Sequence, residues 1–89
     1  MSNIVSQFYG MTVLIPYKPS GYARPYFEVE YKGGVSKFEI ESGRMCEGEL
    51  LEDGKEIVKD WLLEHRRELN ENWKRLQNSE SIKPIAPIL

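Results

Sequence analysis

Tyr26-Phe-Glu-Val-Glu-Tyr-Lys32, then Gly33-Gly34, then Val35-Ser-Lys-Phe-Glu-Ile-Glu41: this stretch decides the fold. On either side of the glycine pair, apolar and charged residues alternate, the period-2 signature of strands with one buried face. A two-residue turn between antiparallel strands needs positive φ at both central positions, which glycine adopts without steric cost. Closing the hairpin on Gly33-Gly34 pairs Tyr31 with Ser36, Val29 with Phe38 and Phe27 with Ile40 on one face. It pairs Glu30 with Lys37, Glu28 with Glu39 and Tyr26 with Glu41 on the other. A slip of one residue would turn Phe27, Val29 and Tyr31 into water, so the pattern specifies which face is buried.

Before the hairpin, Met11-Thr-Val-Leu-Ile15 is a short apolar run bounded by Gly10 and Pro16, read as a buried strand over 11–16. Lys18 to Pro25, with two prolines and a glycine, is a loop. After the hairpin, a three-residue Ser42-Gly-Arg44 turn leads into a strand over 45–50, with Cys46, Gly48 and Leu50 on the apolar face and Gly48 beneath Phe38. The hairpin strands then run over 26–32 and 35–41.

From Asp53 the period changes. Asp53-Gly-Lys-Glu56 fits a capping box, with Asp53 as N-cap. Beyond it, neither proline nor glycine occurs until after Gln77. At ~100° per residue Ile57, Val58, Trp61, Leu62, Leu69, Trp73 and Leu76 share a sector about 160° wide. A helix over 54–77, roughly six turns long, follows. Ile82-Lys-Pro-Ile-Ala-Pro-Ile-Leu89 is an apolar tail that Pro84 and Pro87 keep extended over 82–89. The fold class is therefore α+β: an antiparallel three- to four-stranded sheet packed on one long C-terminal helix, with residues 1–89 as a single domain.

Composition narrows the function classes. The 89 residues are 40% hydrophobic and 29% charged with a formal net charge of -2, which excludes a strongly basic, sequence-independent nucleic-acid binder. The one cysteine, Cys46, excludes an internal disulfide and an all-cysteine zinc site; it reads as core. No run approaches the roughly 20 apolar residues of a membrane span, and the start lacks a signal pattern, so a cytoplasmic chain is expected. No cofactor and no metal are expected, because phosphate-binding, nucleophile-elbow and metal-loop motifs do not occur.

His65 and Asn72 are polar residues inside the apolar sector of the helix. They form a buried polar site, with His65 in acid–base work and Asn72 orienting a partner, or they satisfy backbone groups of the tail or first loop. The second reading is favoured, since one histidine with no nucleophile beside it is a weak catalytic signal. The outer sheet face is acidic at Glu28, Glu30, Glu39 and Glu41. Arg66, Arg67, Lys74 and Arg75 have Glu64, Glu68 and Glu71 at pairing distance along the helix, so local ion pairs account for most of that charge. Tyr17, Tyr22, Arg24, Tyr26 and Glu28, around the first loop, form the candidate binding surface, since tyrosines beside an arginine anchor interfaces. Tyr26, Glu28 and His65 are the candidates for catalysis, if there is any.

The order of these signals resembles a known group. Phe8-Tyr9-Gly10 precedes the first strand. Pro25-Tyr-Phe-Glu-Val-Glu-Tyr31, Glu39-Ile-Glu-Ser-Gly43 and Glu47-Gly-Glu-Leu50 follow, then Trp61, His65-Arg66, Glu68-Leu69 and Asn72-Trp73, with an Ile-x-Pro tail. This is similar to the small bacterial proteins grouped as domain of unknown function 4160. The resemblance implies an association with toxin–antitoxin gene pairs and no known chemistry. Family members carry Pro-His-Phe-His where this chain has Pro25-Tyr26-Phe27-Glu28, so a function needing both histidines is in doubt here. The expectation is a non-enzymatic interaction or regulatory module whose partner is a small protein of the same operon. The alternative is an RNA-cleaving or metal-dependent enzyme. Nucleic acid and membrane are not the expected partners, and a homo-oligomer could form through the tail.

Overall fold

The alternation of apolar and charged residues builds a five-stranded antiparallel meander, described by a computed structural model over residues 3–16 and 24–88. The strands are β1 (Ile4–Phe8), β2 (Met11–Leu14), β3 (Tyr26–Tyr31), β4 (Gly34–Glu39) and β5 (Met45–Glu47), in spatial order β1-β2-β3-β4-β5. The helix α1 (Glu52–Gln77) lays Val58, Trp61, Leu62 and Leu69 on the sheet. The architecture is the expected α+β sheet on one long helix. One strand, β1, is additional; its Ile4-Val-Ser-Gln-Phe8 alternates too weakly to declare itself. It is joined to β2 by a two-residue turn, Tyr9 (φ 49) and Gly10 (φ 75).

The hairpin turn differs from expectation. Lys32 (φ 48) and Gly33 (φ 81) occupy the corner, so Tyr31 faces Gly34, Val29 faces Ser36 and Phe27 faces Phe38. The pairing slips by two residues relative to a Gly33-Gly34 turn, and a slip of two leaves every side chain on its predicted face. The slip is favoured across the strands. Phe27 stacks on Phe38 at 5.6 Å between ring centroids, and Glu28 now faces Lys37 instead of Glu39. It holds Lys32 in the left-handed region, which costs a non-glycine residue about 1 kcal/mol or more. Aromatic and opposite-charge cross-strand pairs offset that by roughly 0.2–1 kcal/mol each.

The third hairpin is also corrected. Phe38 faces Met45 and Lys37 faces Glu47, with an irregularity between them. Met45 therefore packs on the core, while Cys46 is half-buried with its Sγ 3.4 Å from the Lys37 carbonyl oxygen. Gly48 (φ 90) lies against the backbone of β4, not under the Phe38 ring: an added Cβ would sit 2.3 Å from Val35 O and 2.7 Å from Ser36 Cα. This close approach lets the Ser36 hydroxyl donate to the Glu49 carbonyl at 3.1 Å. Gly48→Ala should cost about 1–3 kcal/mol from backbone strain and detach β5. Urea melts with amide exchange over 45–49 would show this; an unchanged melt with protected β5 amides would refute the close approach.

The helix begins earlier than a cap at Asp53 implies. Leu51 is the N-cap and makes no side-chain capping bond; Glu52 and Asp53 lie in the first turn, where carboxylates favour the positive end of the helix dipole. The far end closes with Ser79 (φ 58) in the left-handed conformation, Glu80 N–H donating to Arg75 O at 2.7 Å and Ser79 N–H to Leu76 O at 3.2 Å. These paired bonds satisfy orphan carbonyls and turn the chain back. The tail then runs extended, buries Ile85, and donates Ile85 N–H to Val5 O of β1 at 2.7 Å.

Candidate functional site

The start of β3 brings the sequence candidates to one end of the sheet. Tyr26 and Phe27 are both buried, at 1% and 0% exposure, although the pleat sends them to opposite faces. Phe27 packs edge-on to Trp61 at 6.1 Å, and Tyr26 meets Trp73 at 5.6 Å. Between the two tryptophans the helix breaks at His65 (φ -125, ψ 15), which separates the half carrying Trp61 from the half carrying Trp73. The Lys37 ammonium lies 5.4 Å from the Tyr26 ring centre, a cation–π arrangement. Tyr26 is thus enclosed, not an open ring offered for stacking.

Lys37 joins this aromatic pair to the outer charges. Its Nζ is 4.0 Å from Glu28 and 3.4 Å from Glu47. The two carboxylates flank one cation, and in this register Glu28 faces Lys37 and not Glu39. Glu39 is drawn instead to the loop after β4. The Ser42 hydroxyl donates to it at 2.6 Å and Arg44 at 3.3 Å. The Ser42 bond, and after it Arg44 and the more distant Arg24, hold the Glu39 carboxyl below its ordinary range; partial burial works against them. Arg24 itself is exposed. Tyr17 and Tyr22, the other two candidates of the binding surface, lie outside the described residues.

The helix face separates His65 from this end. His65 Nδ1 hydrogen-bonds Glu68 Oε1 at 2.7 Å, and its ring packs on Trp61 at 5.5 Å. It does not reach for the tail. Asn72 does: fully buried, its Nδ2 donates to Lys83 O at 2.8 Å, and its Oδ1 accepts from Lys83 N at 2.9 Å and from Arg75 Nη1 at 2.7 Å. Asn72 thus meets backbone groups of the tail, whereas His65 is half-buried and pairs with a carboxylate side chain of its own helix instead of with the backbone of the tail or the first loop. Of the catalytic candidates, Tyr26 and Glu28 gather at Lys37, while His65 belongs to the Trp61 cluster. Among the described residues no group of three or more His, Cys, Asp or Glu is placed to hold a metal ion.

Sequence reasoning did not find the contacts that tie the helix to its surroundings. Arg66 Nε donates to Ile40 O at 3.0 Å, and the Trp61 indole N–H donates to Ala86 O at 2.8 Å. Both are side chain-to-backbone bonds between elements far apart in the chain, which no local pattern announces. A separate groove of about 330 Å³ lies at the start of the helix, lined by Tyr9, Met11, Tyr31, Leu50, Leu51 and Ile57.

A five-strand meander closed by one broken helix and an apolar tail defines a small α+β domain with a charged outer face. The model of the family described as Domain of unknown function (DUF4160) matches residues 10–74, and the chain belongs to that family. No curated protein and no solved structure matches it. The matched span holds four of the strands and most of the helix; β1 and the tail, which bond each other through Val5 and Ile85, lie outside it. No helix among the described residues is long and apolar enough to cross a membrane.

Proposed function

We propose that this protein is a non-enzymatic protein-interaction module, one half of a toxin–antitoxin-like or regulatory pair, acting in the bacterial cytoplasm on a small partner encoded beside it. One observation carries the reading. The side chains that the sequence offers for acid–base chemistry are engaged with other groups of the fold: His65 with Glu68, Glu28 with Lys37 and Tyr26 with Trp73. Groups held this way support a surface and are poorly placed to turn toward a reacting atom. The partner surface is the end of the outer sheet face that carries Glu39 and Arg44, with exposed Arg24 just before β3, whose charge acts on Glu39.

The test is co-expression with the product of the neighbouring gene, followed by titration of the purified components. Arg24→Glu should weaken the complex about tenfold or more, the scale of one reversed interfacial charge, with an unchanged melting temperature. Undiminished affinity would refute the surface. RNA cleavage by the purified protein, or a melting shift in manganese, magnesium or zinc, would overturn the reading in favour of an enzyme.

A further inference from the structure

A small basic pocket lies where the turn after β4 meets α1. Lys59, Leu62, Leu63 and Arg66 line it from the helix, at the spacing of one helical stripe, and Ser42 and Gly43 line it from the turn. Its volume is about 150 Å³, and no carboxylate is in the lining. Both walls are fixed by bonds of the fold. Gly43 (φ 75) donates its N–H to Glu39 O at 2.9 Å, and it lies so near the helix that an added Cβ would stand 3.2 Å from Leu62 Cδ2. Arg66 Nε donates to Ile40 O at 3.0 Å, which ties the guanidinium to the turn although the helix breaks one residue earlier, at His65. The N–H groups on the two Nη atoms of Arg66 have no partner among the described residues.

Carboxylates do not neutralise these two cations. Three and four residues from Arg66 stand Leu62, Leu63, Leu69 and Asn70, so helical spacing offers it no acid. Lys59 has Glu56 at that reach and makes no ion pair with it. Glu39, the acid bonded to the turn, is answered by Ser42, Arg44 and the more distant Arg24; neither Lys59 nor Arg66 is among the groups acting on it.

We propose that this pocket binds the phosphoryl group of a small phosphate monoester. Arg66 Nη groups and the Lys59 ammonium answer its two negative charges, where a carboxylate would answer one. The Ser42 hydroxyl donates to Glu39, so it forms wall and does not hold the anion. A cavity of this volume takes a molecule of about the size of benzene, room for one phosphoryl group. The ester substituent then lies outside, over Leu63, which is 67% exposed between the two cations. Walls already bonded in place lose little freedom on binding. A nucleic-acid strand would carry further phosphates past exposed Asp60 and Glu64, so a single phosphoryl group is selected over a polymer.

The probe is phenyl phosphate, titrated into the full-length protein labelled with nitrogen-15 and followed by amide chemical shifts, with inorganic phosphate and phenol in parallel. Phenyl phosphate should shift the amides of residues 42–44 and 59–66 along a saturable curve. Inorganic phosphate should shift the same amides with weaker affinity, and phenol should leave them in place. Lys59→Gln should weaken phenyl phosphate about tenfold or more, the scale of one charge-assisted contact. Lys59 is exposed, so this variant should melt with the parent chain. Arg66→Lys keeps the charge and a donor for Ile40 O but loses the guanidinium fork, and it too should bind more weakly. No saturable shift, equal shifts with phenol, or full affinity in Lys59→Gln would overturn the proposal. So would inorganic phosphate binding as tightly as the ester, or a single-stranded RNA oligonucleotide binding more tightly through the same amides.

Discussion

Trp61→Ala should lower the stability of this protein by about 3–5 kcal/mol, the range for truncating a buried tryptophan. A domain of this size has about 4–13 kcal/mol in all, so the variant should be largely unfolded at a few molar urea where the parent chain is folded. The magnitude follows from the position of the ring. It is fully buried, it touches Phe8 of β1 at 5.3 Å, Phe27 of β3 at 6.1 Å and the His65 ring at 5.5 Å, and its indole N–H donates to Ala86 O in the tail. One side chain thus holds the sheet, the broken helix and the tail together. Trp61→Phe separates packing from hydrogen bonding: it keeps an aromatic ring and leaves Ala86 O without its donor, for about 1–3 kcal/mol. A loss under about 1.5 kcal/mol for Trp61→Ala would show that the cluster collapses around the gap and that Trp61 is not its centre.

Asn72→Leu should be nearly as damaging, at about 2–4 kcal/mol, for a different reason. The side chain is close in volume, so little cavity opens. What is lost is the pairing of Lys83 N–H, Lys83 O and the Arg75 guanidinium with the two ends of one buried amide. Those bonds anchor the tail where it leaves the turn at Ser79, so the variant should also become sensitive to protease beyond residue 78 before the sheet unfolds. Asn72→Asp discriminates further. A carboxylate still accepts from Lys83 N–H and Arg75 but cannot donate to Lys83 O, so its effect should fall between the parent and the leucine variant. Coincident loss of tail and sheet, with no early proteolysis, would refute Asn72 as a local clamp.

The contrast between the two variants bears on the candidate site. Tyr26, Glu28, His65 and Asn72 are the residues that a search for chemistry selects from the chain, and each has a structural partner: Trp73, Lys37, Glu68 and Lys83. On the solvent side of α1 one pair that helical spacing offers does form, Arg67 with Glu71 at 3.9 Å. Other pairs do not form as spacing alone would draw them: Glu68 bonds His65 of its own helix, and Arg66 Nε bonds the Ile40 carbonyl across the fold. Sequence spacing marks which groups can meet within a helix, and the competing partners come from elements up to 26 residues away.

What the chain determined by itself is periodic: two-residue alternation for the hairpin, a 3.6-residue period for α1, and prolines that keep the tail extended. These periods assign each side chain a face, because burying the apolar side is the largest favourable term in folding. They do not assign a partner on that face. Moving the hairpin turn from Gly33-Gly34 to Lys32-Gly33 changes every pair and no face, so alternation is blind to the choice. Only cross-strand packing settles it, by stacking Phe27 on Phe38 and setting Glu28 against Lys37. The same holds for β1, whose weak alternation is stabilised by β2 on one side and the tail on the other, and for the site: which polar groups are tied down and which face solvent depends on contacts between segments far apart in the chain, and those exist only once the fold has closed.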